Sequence, residues 1–152
     1  MVAINFDQAL FFPQQEFQDE MAVLKFLSQQ LITQGYAKKG YTEAILTREA
    51  TYPTGLPSPE PRVAIPHADS NFINQTTIAV ATLAKPVAFH NMEDVDAKLD
   101  VSIVIMLAIK EPHGQVEMLQ NVVGIIQNNQ VMREIAAAAS SAELYRLVTD
   151  NL

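Results

Sequence analysis

From Gln14 to Gln34 the apolar residues Phe17, Met21, Leu24, Leu27, Leu31 and Ile32 recur at three- and four-residue steps. That spacing predicts one helix with a single buried stripe, and Gly35 stands where a helix stop belongs. The same stepping predicts a second helix from Thr42 to Ala50, with Ala44, Ile45 and Leu46 inward. A third runs from Gln115 to Gln127, with Val116, Leu119, Val122, Val123 and Ile126 inward, after which Asn128-Asn129 makes a turn. A short Ala-rich helix covers Val131 to Ala139, and a last one, capped by Ser140 or Ser141, carries Leu144, Leu147 and Val148. Between these lie strand-like runs: Leu10-Phe11-Phe12 ahead of Pro13, Arg62 to Pro66, Thr76 to Leu83, and a short edge piece from Val87 to Phe89 after the Lys85-Pro86 break. Leu99 to Ile109 is the most hydrophobic run and is expected at the centre of the sheet. Tyr52 to Pro61 holds four of the eight prolines, together with Gly55, and reads as an ordered loop. Helices alternating with strands, but not in a clean β-α-β order, indicate an α/β fold: a single domain over residues 1–152, a mixed β-sheet with helices on both faces.

Composition narrows what such a domain can do. There is no Cys, which excludes disulfides, thiolate metal sites and a Cys nucleophile. The N-terminus lacks the basic-then-apolar pattern of a secretory leader, and the longest apolar run, Val101 to Ile109, is too short to span a bilayer. A cytoplasmic protein with no direct membrane insertion is expected. The net charge of −7 argues against binding nucleic acid, which needs a basic surface, and favours a basic protein partner.

Candidate chemistry concentrates at two Pro-His pairs, each following a core strand. In Arg62-Val63-Ala64-Ile65-Pro66-His67-Ala68-Asp69, Pro66 cannot donate to a sheet ladder and stiffens the backbone that presents His67. That position, past the C-terminal end of a strand, is where open α/β sheets bind ligands. Lys110-Glu111-Pro112-His113-Gly114 repeats the arrangement ahead of a helix N-terminus that suits an anion. Arg48, in the last turn of the second predicted helix, could reach the same edge, although a cation there also simply suits the helix dipole. Two histidines and a guanidinium make a poor zinc site and a good phosphate site. Asp69 is a candidate to orient the His67 ring. Glu93, Asp94 and Asp96 read as a solvated loop, since they lack the spacing of a cation site. No G-x-G-x-x-G, Walker loop or G-x-S-x-G elbow is present. On residues alone, a phosphoryl-transfer site, a metal-dependent hydrolase built on His67, His113 and Asp69, and unremarkable surface histidines all stay open.

Val63-Ala64-Ile65-Pro66-His67-Ala68 resembles the phosphohistidine motif of enzyme IIA in the bacterial phosphoenolpyruvate-dependent sugar phosphotransferase system, fructose/mannitol superfamily. Thr47-Arg48-Glu49-Ala50 resembles the segment bearing that family's active-site arginine, and His113 matches its second histidine. Arg48 to Leu56 looks most like the galactitol-type IIA proteins. The resemblance runs from Phe6 to Val148 and implies the fructose/mannitol-type IIA fold. It implies that phospho-HPr phosphorylates His67, on Nε2, and that the group passes to a cysteine of enzyme IIB, itself tied to a membrane IIC. His113 and Arg48 would assist, with no cofactor and no metal. Regulatory IIA proteins that sense phosphorylation without sugar transport share the fold and offer the other reading within the family.

Overall fold

The computed structural model describes residues 4–152. Four strands form one sheet in the order β1-β3-β4-β2: β1 (Phe11–Gln15), β2 (Val63–Ala64), β3 (Thr77–His90) and β4 (Lys98–Ala108). β1 runs parallel to β3 and β2 parallel to β4, while β3 and β4 are antiparallel. The sheet is therefore mixed, and β4 lies inside it, as its apolar run, broken only by Ser102 between Val101 and Ile109, predicts. Val101 and Ile103 to Met106 are buried because both faces of β4 are covered.

Helices cover both faces. They are α1 (Glu20–Thr33), α2 (Tyr41–Thr51), α3 (Val116–Gln127), α4 (Asn129–Ala137) and α5 (Ser141–Thr149). Successive side chains of a strand point to opposite faces. Phe11 accordingly meets Tyr145 of α5 edge-to-face, with ring centroids 5.1 Å apart, while Phe12 meets Phe26 of α1 at 4.8 Å.

Several boundaries differ from the sequence expectation, each for a local reason. The first strand extends through Pro13 to Gln15, because β1 is an edge strand and a residue without an N–H is tolerated there. Helix α1 consequently starts at Glu20, where the Asp19 side chain accepts from the Ala22 N–H at 2.9 Å. Phe17 precedes the helix yet still packs on Phe26, whereas Met21, expected inward, is 50% exposed. The helix stops as predicted. Gly35, at φ +87°, donates to Ile32 O, and Tyr36 N donates to Leu31 O, which together close a Schellman motif.

Lys85-Pro86 does not end a strand. The two expected strands are the single β3, with a register shift against β4 between Thr82 and Val87, and a bulge accommodates a proline. Helix α3 is rotated from expectation: Val116 and Val123 are about half exposed, and Met118, Val122 and Ile125 are the buried residues. Glu117, Gln120, Asn121 and Gln127 share the polar face, and the apolar arc opposite them is wide enough that Val116 and Val123 fall at its solvent-facing edge. Helix α4 begins at Asn129, because the Asn128 side chain caps Val131 N instead of making a free turn. Ser140, not Ser141, caps α5 by accepting from Glu143 N. Among the described residues, no helix is long and apolar enough to cross a membrane.

Candidate functional site

The parallel pairing of β2 with β4 decides where His67 emerges. Val63 and Ala64 register with Ile103 and Val104, and beyond the ladder Leu107 N donates to Pro66 O at 2.9 Å. His67 therefore leaves the sheet beside the end of β4. The chain leaving β4 forms the one-turn helix Pro112–Gln115, which carries His113. The two Pro-His pairs thus sit at the same edge of the sheet.

The His67 ring is half-buried, with Nδ1 3.0 Å from the Ile65 carbonyl oxygen. A carbonyl only accepts, so Nδ1 carries the proton of the neutral ring and Nε2 keeps the lone pair. Asp69 does not orient the ring. Its Oδ1 accepts from Asn71 N at 2.8 Å and caps the turn Ser70–Phe72, so the Ile65 carbonyl holds the imidazole instead.

Arg48 is exposed on the last turn of α2, its guanidinium 5.2 Å from the centroid of the Tyr52 ring. Among the described residues no carboxylate pairs with it. Arg48 and His67 line one cleft of about 220 Å³, together with Tyr52, Thr54, Met92 and Val95. On its other side Arg48 borders a broader groove of about 780 Å³, along with Thr47, Ala68, Asp69 and Phe72. His113 is exposed on its turn and lines neither recess. The structure thus brings Arg48 and His67 together, while His113 shares only the sheet edge.

Sequence reasoning missed the groups beneath this cleft. Glu49 is only 6% exposed. Its Oε1 accepts from Thr54 N at 2.8 Å, and the Thr54 hydroxyl lies 3.0 and 2.9 Å from its two oxygens. Burial raises the Glu49 pKa above the ordinary carboxylate value. The Thr54 hydrogen bonds oppose this rise, nearby Glu20 adds to it, and His90 works against it. His90 is the last residue of β3, with Nδ1 2.8 Å from Glu20 Oε1. Gly55 is wedged against the same strand end. Its N donates to His90 O at 3.2 Å, its carbonyl accepts from Met92 N at 2.8 Å, and a Cβ there would fall 2.5 Å from His90 O. One signal was available: Tyr41, Ile45 and Glu49 recur every four residues, so Glu49 shares the buried face of α2. The acidic loop is exposed, and Asn91 and Asp94 cap its own N–H groups. Among the described residues, no group of three or more His, Asp or Glu is placed to hold a metal ion.

Residues 5–151 match the family described as "Phosphoenolpyruvate-dependent sugar phosphotransferase system, EIIA 2". The chain is 26% identical over 119 residues to the PTS system galactitol-specific EIIA component of Escherichia coli, which covers 78% of this chain and 79% of that protein. It is 37% identical over 101 residues to the transcriptional regulator ManR of Bacillus subtilis, across 66% of this chain but only 14% of the regulator. The solved complex of enzyme IIAMTL and phosphorylated enzyme IIBMTL from Escherichia coli contains a chain of the same fold. It superposes with a TM-score of 0.75 at 20% identity, covering 96% of this chain and 99% of that one.

Proposed function

The chain belongs to the EIIA 2 family of the phosphoenolpyruvate-dependent sugar phosphotransferase system, and from that premise we propose that residues 1–152 form one phosphocarrier domain whose acceptor is His67. The donor is phospho-HPr. The recipient is a cysteine of an enzyme IIB of galactitol type, which serves a membrane IIC.

The observation that carries this reading is the fixed His67 tautomer. With Nδ1–H held by Ile65 O, Nε2 is the free nucleophile beside Arg48. Its lone pair forms the bond to phosphorus as the donor's P–N bond breaks. The Nδ1 proton stays in place throughout, so the ring accepts the group without needing a separate base. In the second transfer the thiolate of IIB attacks phosphorus and the P–Nε2 bond breaks, returning the neutral ring. Little covalent chemistry is left for the protein in such a loose transition state, so alignment and neutralisation of the phosphoryl oxygens dominate. Arg48, unpaired among the described residues and braced on Tyr52, supplies positive charge from inside the cleft. His113 assists from the adjacent turn.

The galactitol branch is supported by the Escherichia coli galactitol-specific relative and by the Thr51–Gly55 stretch, whose Tyr52 and Thr54 border His67 and can meet a specific partner. The IIA–IIB complex of similar fold supports IIB as the recipient. Incubation with phosphoenolpyruvate, enzyme I and HPr should place one acid-labile phosphoryl group on the chain and none on His67→Ala. The labelled protein is then offered to IIB domains of galactitol, fructose and mannitol types, with fastest transfer expected to the first. Labelling of His67→Ala would sink the acceptor assignment, and preference for another IIB would sink the branch alone. The identity to ManR favours a second reading, a unit that reports phosphorylation to a regulator. Uptake of phosphate with no transfer to any IIB would select it.

A further inference from the structure

We propose that Glu49 is a positioning residue for His67, acting through Thr54 and Ile65; the proposal rests on the reading of His67 as the phosphoryl acceptor. A continuous run of hydrogen bonds joins the two side chains. The Glu49 carboxylate accepts from Thr54 N at 2.8 Å and engages the Thr54 hydroxyl through both oxygens. The Thr54 carbonyl accepts from Ile65 N at 3.2 Å. The Ile65 carbonyl faces His67 Nδ1 at 3.0 Å.

Each link is needed because β4 does not reach it. Peptide groups alternate in direction along a strand: Pro66 O still meets Leu107 N of β4, so the Ile65 peptide groups face the free edge of β2. Thr54 holds the Ile65 N–H there, and Thr54 itself lies in a proline-flanked loop beyond the end of α2. Among the described residues only Glu49, anchored on α2 and buried, ties this loop residue back to regular structure by both its N–H and its hydroxyl. Packing alone does not account for a carboxylate here, since an apolar side chain would fill the volume without desolvating an acid. What an apolar side chain lacks is an acceptor for Thr54. Loosening Thr54 frees the Ile65 peptide, and with it the carbonyl that selects the reactive tautomer. Displacements of about 1 Å near a reacting atom cost on the order of 100-fold in rate.

The test uses the full chain carrying Glu49→Met, which keeps the volume but removes the acceptor, with Glu49→Ala as a second variant and Glu49→Gln as the conservative one. Imidazole ¹⁵N shifts of the unphosphorylated protein, taken near pH ~8.5 where an ordinary ring is neutral, report the His67 tautomer without any phosphoryl chemistry. Wild type and Glu49→Gln should show Nδ1–H, because the amide oxygen accepts from Thr54 N and the amide N–H can donate to the hydroxyl. Glu49→Met and Glu49→Ala should move toward the Nε2–H form. Their phosphoryl uptake at saturating phospho-HPr should fall about 10–100-fold with half-saturation unchanged, whereas Glu49→Gln stays within about threefold of wild type. A wild-type tautomer and rate in the acceptor-free variants would overturn the proposal. So would a Gln variant as impaired as the Met variant, or the failure of both acceptor-free variants to fold, which would assign Glu49 to the fold as a whole. Labelling of His67→Ala would overturn the acceptor reading itself and leaves the tautomer result standing as a separate measurement.

Discussion

Glu49 contributes a pH dependence to the stability of the fold through its own titration. Its carboxyl binds a proton more tightly in the folded chain than in the unfolded one, because burial disfavours the charged form. Such a group destabilises the fold above its folded pKa, and the penalty fades as pH falls toward the ordinary value of 4.5. Glu49→Gln should therefore melt higher than wild type at neutral and mildly alkaline pH. The gap should close on acidification toward that value, and melting curves across the range would read it directly. A constant gap would mean that the carboxylate is not desolvated. In the proposed relay, Arg48 and His113 are expected to act on rate and not on labelling. Arg48→Gln should slow phosphoryl uptake by about 10²–10³-fold, the usual cost of removing one electrostatic stabiliser. His113→Ala should slow it less, since His113 shares the edge but not the cleft. Each variant should still carry its label on His67, which peptide mapping can verify.

At the scale of elements, the loop between α2 and β2 is a fitted part of the sheet edge. Gly55 bridges Ala64 on one side and Asn91 on the other, so the loop seals the gap between β2 and the β3–β4 hairpin. Gly55→Ala places a methyl group 2.5 Å from the His90 carbonyl oxygen, a backbone atom that cannot swing away. It should cost about 1–3 kcal/mol in stability, read by denaturant unfolding, and should lower phosphoryl uptake because the loop lines the His67 cleft. A neutral Gly55→Ala would show that the hairpin end is pliable. The same loop marks the boundary of what the sequence makes legible. Apolar spacing locates all five helices and the central strand, because burial repeats at a fixed period along each. Pro66-His67 and Arg48 announce themselves by residue type. The Glu49–Thr54 and Ile65–His67 contacts do not, because hydrogen bonds between a helix, a loop and a strand end have no period. The Lys85-Pro86 bulge hides for a related reason, since a proline signals a break equally well whether the strand ends or merely skips a register.

For the molecule as a whole, the charge of −7 matters most at encounter. Glu43 and Asp69, with Lys39 as the counter-charge, border the groove beside Arg48, so an approaching basic partner meets two carboxylates at the rim and a guanidinium at the cleft. The rate of phosphoryl uptake at low donor concentration should fall as salt is raised, because screening acts within about 8–10 Å at ordinary ionic strength. Stopped-flow measurement over a salt series checks this, and a flat series would assign the encounter to apolar contacts such as Met92 and Val95. The sheet has a further consequence for a protein that must collide repeatedly with others in a crowded solution. One of its outer strands is two residues long, and the other is interrupted by Pro13. Neither margin offers a long row of free peptide groups on which a neighbouring chain could lay down a strand, so the domain can be concentrated with little risk of growing into fibrils from its own edges.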